Sequence, residues 1–227
     1  EHPATPKEAF EQSIQGAYFP RQFVKARQDG RICRVPYMEG AAVDTWWDLG
    51  MNDVMAIWFT QTVGREIHLV DYYENSGEQF VFYAEKLREK QQQNGMVTYG
   101  SHNAPHDIGV RELGGTGVDR WESALKVGIR FNRIPRIKAK IDSINAARNL
   151  FPLCWFDEER CSLGIKRLEN YRKKWNEHAR CYENTPLHDD NSNGADAFQT
   201  LAMGHVLNTG SNTRSTQIQR TSAKGWT

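Results

Sequence analysis

Three stretches of the sequence place aspartates where carboxylates do chemistry. Asp48 closes the apolar run Val43-Asp44-Thr45-Trp46-Trp47 and is followed by Leu49-Gly50. Asp107 follows the run Met96-Val97-Thr98-Tyr99 and the polar segment ending in Pro105-His106. The third stretch, His188-Asp189-Asp190-Asn191-Ser192-Asn193-Gly194-Ala195-Asp196, is rich in acids. Carboxylates that converge on rigid elements repel one another, and a divalent cation relieves that repulsion. Hard cations such as Mg2+ or Mn2+ take oxygen ligands. Two of them about 3.5–4 Å apart can activate a water and stabilise the leaving oxygen of a phosphodiester. Asp48, Asp107 and either Asp190 or Asp196 have the residue type and the sequence separation that such a site needs.

Each acid also has a local reading. Asp48 and Asp53 can form turns through their side chains. Asp107 can cap the segment after it, and Asp189 or Asp190 can cap a helix. Asp196 lies in a helix first turn, where the helix dipole favours a carboxylate. It is the combination that points to a metal. Asp189 to Gly194 also matches the first half of a Ca2+ loop, but the twelfth position, where a bidentate Glu is needed, is Thr200. His102, His106 and His188 flank the acids, where an imidazole can orient a water or carry a proton.

Basic residues cluster at Arg130, Arg133, Arg136, Lys138 and Lys140, and at Lys166, Arg167, Arg172, Lys173 and Lys174. Such runs are solvated faces or, beside an acidic site, a track for a phosphate backbone, with Lys166, Arg167, Lys173 and Lys174 as its contacts. The six tryptophans Trp46, Trp47, Trp58, Trp121, Trp155 and Trp175 read as core. Cys154, Cys161, His178 and Cys181 lack the spacing of a zinc site. There is no G-x-x-x-x-G-K-[ST], no G-x-S-x-G and no Cys/His nucleophile pair.

The elements that must position these residues follow from apolar periodicity. Strands are predicted near 43–49, 54–60 and 66–73 with short links, an antiparallel meander. A helix carries Phe80, Tyr83, Ala84 and Leu87, and short strands follow near 96–100 and 129–131 on either side of a helix at 120–127. Ile137, Ile141, Ile144 and Arg148 mark a helix face. Leu168, Tyr171 and Trp175 predict a helix over 161–178, and Ala195, Phe198, Leu201 and Ala202 predict a last helix from 195 to 207. The order implies an α/β fold, a mixed sheet with helices on both faces. Ligand sites in such sheets lie at strand ends, so Asp48 and Asp107 are expected side by side at one sheet edge. Residues 1–30 read as a helical lead-in, the core as starting near Ile32, and 208–227 as a disordered tail.

The chain has 227 residues, 39% of them hydrophobic and 25% charged, which excludes wholesale disorder and a coiled-coil rod. With 29 basic and 28 acidic residues the net charge is +1, so a strongly basic coat protein is excluded as well. No apolar run is long enough to cross a bilayer, and no membrane role is expected. Four cysteines without a framework read as reduced thiols.

From about residue 30 to 206 the sequence resembles the nuclease domain of the large terminase subunit of tailed bacteriophages. The residues that carry the resemblance are Asp48-Leu49-Gly50 with Asp53, Ile67-His68-Leu69-Val70-Asp71-Tyr72-Tyr73-Glu74, Pro105-His106-Asp107, and Pro186-Leu187-His188-Asp189-Asp190 leading to Gly194-Ala195-Asp196-Ala197-Phe198. The resemblance implies a ribonuclease-H-like domain over 31–207 with three acidic positions binding two Mg2+ or Mn2+ ions. These fall on Asp48, Asp107 and Asp196, with Asp190 as the alternative third acid and Asp53, His106 and His188 supporting them. It further implies a metal-dependent endonuclease that cuts concatemeric double-stranded DNA when packaging starts and ends. The implied partners are an N-terminal ATPase domain, to which residues 1–30 would be the linker remnant, a small terminase subunit and a portal ring, in the host cytoplasm. The alternatives are a ribonuclease-H-like resolvase or transposase core, and a non-catalytic Ca2+-binding module built on 189–194.

Overall fold

The computed structural model describes residues 16–50, 54–95, 97–109, 119–135 and 139–221, with backbone alone at 107, 109 and 208–221. Asp53, Arg136, Ile137, Lys138, the Gly114–Gly117 loop and the apolar spots at Phe10 and Ile14 lie outside it, as does the side chain of Asp107.

Helix α1 (Pro20–Gln28) opens with Pro20 in its first turn, where the missing N–H costs nothing. Strand β1 (Ile32–Cys33) follows. The predicted meander is present as β2 (Val43–Asp48), β3 (Val54–Val63) and β4 (Glu66–Ser76), paired antiparallel in that order. Then come α2 (Phe80–Gln93), β5 (Tyr99–Pro105), a single 3-10 turn (His106–Gly109), α3 (Arg120–Lys126) and β6 (Phe131–Ile134). The rest is α4 (Lys140–Leu150), β7 (Cys154–Asp157), α5 (Ser162–Asn170), the strands β8 (Lys173–Asn176) and β9 (Cys181–Pro186), and α6 (Asp190–Thr221).

Seven strands form one sheet in the order β1-β7-β4-β3-β2-β5-β6, while β8 and β9 form a separate hairpin. β5 lies parallel to β2 and β6, and β7 lies parallel to β4 and β1. On one face Trp46, Trp58, Tyr72 and Phe156 meet α1, α4, α5 and α6. On the other Trp47, Ile57, Phe59 and Val70 meet α2 and α3. This is the mixed, ribonuclease-H-like sheet with helices on both faces.

Several local expectations are corrected. The core begins at Tyr18, Phe19 and Phe23, all buried, rather than at Ile32. Strand β7 has no counterpart among the predicted elements. The single helix expected over 161–178 ends at Asn170, so Trp175 belongs to the hairpin and is 42% exposed rather than core. In α4 the buried residues are Ser143, Ile144, Ala147 and Leu150, while Ile141 is exposed. Helix α6 starts at Asp190, not at Ala195, and its backbone stays helical to Thr221, past the predicted end at 207. The predicted stripe of Ala195, Phe198, Leu201 and Ala202 is buried throughout.

Candidate metal centre

The site is set by strand register. Trp46 pairs with Trp58 and Trp58 with Tyr72, so the three aromatics lie in a row across one face. Two residues further on, Asp48 pairs with Ala56 and Ala56 with Glu74. Side chains alternate between faces with a period of two, so Asp48 and Glu74 share the face of the aromatic row. They sit two strands apart, about 10 Å by the usual strand spacing. On the other side of β2, Trp46 pairs with Asn103 of the parallel strand β5. Two more residues along each strand reach Asp48 and Pro105, after which the 3-10 turn carries His106 and Asp107. The backbone thus delivers Asp48 and Asp107 to the same end of adjacent parallel strands, as their sequence context predicts.

Helix α6 brings the remaining acids. Trp58 Nε1 donates to the carbonyl of Gly194 at 2.9 Å, which fixes the helix's first turns over the aromatic row. Gly194 has to be a glycine here: a Cβ would stand 2.6 Å from the Tyr72 hydroxyl and 2.9 Å from Arg167 Cβ. Asp189 stands just ahead of the helix, its Oδ1 accepting from the backbone N–H of Asn191 at 2.9 Å. Ser192 Oγ donates to the Asp189 carbonyl and lies 3.1 Å from His188 Nδ1, so His188 supports this cap. Residues 190–194 are therefore a helical turn, with Ser192, Asn193 and Gly194 buried, and they cannot wrap a cation as a Ca2+ loop does. That removes the loop on which the Ca2+ module rested.

Asp196 and Asp190 differ in setting. Asp196 is 31% exposed, and its Oδ1 accepts from Lys140 Nζ at 2.6 Å and from Gln199 Nε2 at 2.9 Å. Gln199 is held in turn by Ser143 Oγ. Asp190 is 78% exposed and lies 4.0 Å from Arg167 Nη1. Arg167 itself turns inward: Nε reaches both Glu74 oxygens at 3.1 and 3.2 Å, and Nη2 also donates to Oε1. The Tyr72 hydroxyl donates to the other oxygen, Oε2. Burial, with the Glu74 and Asp48 charges in the same direction, pushes the Tyr72 phenol well above its usual range. Arg167, read from sequence as a phosphate contact, is thus engaged inside the domain, whereas Lys166 is exposed.

Glu74 is the residue that sequence reasoning passed over as a candidate ligand. The signal was its place two residues beyond Tyr72 on an alternating strand. Its neighbour Asp71 lies on the opposite face and is buried against Lys90 of α2 at 2.5 Å, a structural ion pair. Burial holds Asp71 above the ordinary carboxylate range despite that lysine. His102 is not at the acids either. Its Nδ1 lies 2.7 Å from Thr45 Oγ1, which also accepts from Trp47 Nε1, and burial lowers its pKa. His106 is exposed in the 3-10 turn. Lys173 and Lys174 lie on β8 of the hairpin, beside exposed Trp175 and Tyr182.

Behind Asp48, the Arg120 guanidinium donates to the carbonyls of Leu49 at 2.7 Å and Gly50 at 3.1 Å, tying the end of β2 to α3. Among the described residues no three acids, histidines or cysteines are gathered closely enough to hold an ion as they stand. Lys140 and Arg167 neutralise Asp196 and Glu74 instead. The donor set of Asp48, Glu74, Asp190 and Asp196 offers oxygen only, which fits a hard cation such as Mg2+ or Mn2+.

No protein-family model matches the chain, and no curated protein matches it by sequence. Solved structures match it in fold. One is the large terminase of a thermophilic bacteriophage, with a TM-score of 0.59 at 13% identity over 77% of this chain and 42% of that one. Another is the nuclease domain of the P22 large terminase, with a TM-score of 0.56 at 14% identity over 78% of this chain and 88% of that one. The chain therefore spans about two-fifths of the thermophilic phage protein but nearly the whole of the P22 domain. Its fold is that of large-terminase nuclease domains.

Proposed function

We propose that this chain is a divalent-cation-dependent DNA endonuclease of a bacteriophage packaging motor, cutting concatemeric double-stranded DNA at the start and end of packaging. The observation that carries the reading is the arrival at one sheet end of acids from separate elements: Asp48 from β2, Glu74 from β4, the backbone of Asp107 after β5, and Asp190 and Asp196 from α6. They do so in a fold shared with terminase nuclease domains. Asp48, Asp107 and Asp196 would hold two Mg2+ or Mn2+ ions, with Asp190 beside them. Such ions supply positive charge to an attacked phosphodiester and to its departing oxygen. The chain's own part is to preset the carboxylates through Arg120, Lys140 and Gln199, and to leave Lys166, Lys173 and Lys174 available to a phosphate backbone. Phosphate contacts carry no sequence information, so weak sequence preference is expected.

In this reading the domain works in a full subunit with an N-terminal ATPase domain. That subunit acts with a small terminase subunit at a portal ring, in the host cytoplasm. The test is plasmid cleavage. Nicking and linearisation that need Mn2+ or Mg2+ and stop in EDTA support the reading, and cleavage unchanged in EDTA ends it. A strong preference for branched over linear DNA would instead favour a resolvase.

A further inference from the structure

Tyr171 and Tyr18 form a pair of buried phenols, 0% and 2% exposed, with ring centroids 5.0 Å apart. Both hydroxyls are buried, and neither meets a hydrogen-bond partner in good geometry. A buried hydroxyl without a partner costs roughly 1–3 kcal/mol, so a native structure that keeps one calls for an explanation. The two differ in what surrounds them. Tyr18 faces Arg148, whose guanidinium lies 5.8 Å from its ring centre and whose Nε donates to its carbonyl. Tyr171 closes α5 directly beneath α6. Its hydroxyl lies beside Gln199, whose amide holds Asp196, and the charges of Asp196 and Asp48 both bear on it. Those are the two acids, from α6 and β2, assigned above to metal binding.

We propose that the Tyr171 hydroxyl is a positioning group for the acidic site, donating its proton to a carboxylate oxygen of Asp48 or Asp196 that faces away from the metal when the site is loaded. A carboxylate that ligates through one oxygen keeps lone pairs on the other, and a fixed donor there selects its rotamer. In the unloaded site Lys140 and Gln199 both take Asp196 Oδ1, and the phenol waits without a partner. The idea rests on the metal-site reading above.

The test pairs Tyr171→Phe with Tyr18→Phe, each removing one orphan hydroxyl, and reads Mn2+ binding by calorimetry and melting temperature in EDTA. Both variants should melt at or above the wild-type temperature without metal. Only Tyr171→Phe should bind Mn2+ more weakly, by roughly 10-fold, the lower end of what loss of a ligand-orienting partner costs. Equal Mn2+ affinity in all three proteins overturns the proposal while leaving the metal site intact. So does a lower melting temperature for Tyr171→Phe with unchanged affinity, the mark of a merely structural phenol. A wild-type chain that takes up no Mn2+ overturns the metal reading itself, and this proposal with it.

Discussion

Arg167 and Glu74 come from α5 and β4, 93 positions apart, and the guanidinium lies against both oxygens of the carboxylate. With Tyr72 added, a largely buried acid at the candidate site is fully engaged by the protein itself. Removing one member of a buried pair strands the other's charge. Arg167→Ala should therefore lower unfolding free energy by about 3 kcal/mol in urea titrations. Mn2+ should restore part of that loss, because a bound cation takes over the neutralisation. No recovery with Mn2+ would separate Glu74 from the metal site.

Asp196 sits in a prepared bed of Lys140 and Gln199, while Asp190 is mostly exposed. Asp196→Asn should abolish divalent-dependent plasmid cleavage and keep the fold by circular dichroism. Asp190→Asn should retain measurable cleavage. The opposite pattern would move the third ligand to Asp190.

The contact of α6 with the sheet is tightest at Gly194. A methyl group there would meet Tyr72 and Arg167 within contact distance, so Gly194→Ala must lift the first turns of α6. Overpacking of this kind costs about 1–3 kcal/mol. Thermal unfolding should show the loss, and Mn2+ affinity should fall with it because Asp196 moves. Unchanged stability would show that α6 does not depend on this approach.

Burial lowers the pKa of His102. The unfolded chain therefore takes up a proton below about pH 6.5 while the folded chain does not, and stability should fall as pH drops from there toward the depressed folded value. Protonating Nδ1 would also break its contact with Thr45. His102→Gln should flatten that slope in urea titrations between about pH 7 and 5. An unchanged slope would assign the acid sensitivity elsewhere, His205 being another histidine held low by burial.

If the hairpin lysines meet phosphates, Lys173→Ala with Lys174→Ala should weaken DNA binding uniformly across sequences. The salt slope should drop by about one unit for each phosphate the variant no longer neutralises. A slope equal to wild type would make β8 an ordinary solvated strand.

Much of the site's skeleton was legible in the residues. Asp48 announces itself as the polar end of an apolar strand before Leu49-Gly50, and the three strands 43–48, 54–63 and 66–76 alternate clearly enough to read as a meander. The α6 stripe was readable because Ala195, Phe198, Leu201 and Ala202 keep helical spacing. The first turn of α6 was not, since Asp190-Asn191-Ser192-Asn193-Gly194 has the composition of a loop and becomes helical by burial under Trp58 and capping by Asp189. Leu168, Tyr171 and Trp175 share helical spacing by coincidence: the helix stops at Asn170, and Tyr171 leaves it in an extended conformation. Strand β7 is four residues long and lies between parallel neighbours, too short for any period to show. Glu74 needed register, because only the pairing of Asp48 with Ala56 and of Ala56 with Glu74 reveals that the two acids share a face.

The segment ahead of α1 is stitched to the basic hairpin rather than to the sheet. Lys173 N–H donates to the Gly16 carbonyl at 2.8 Å, Ala17 bridges Arg172, and Tyr18 N–H donates to the Tyr171 carbonyl at 3.0 Å. The Tyr182 ring lies flush on Gly16, where a Cβ would stand 2.5 Å away. A pull on the chain at Gly16 thus loads β8 and Tyr171 before it loads any strand of the large sheet. Tension, rather than a bound ligand, becomes a route by which upstream movement reaches both the lysines of the hairpin and the floor beneath Asp196.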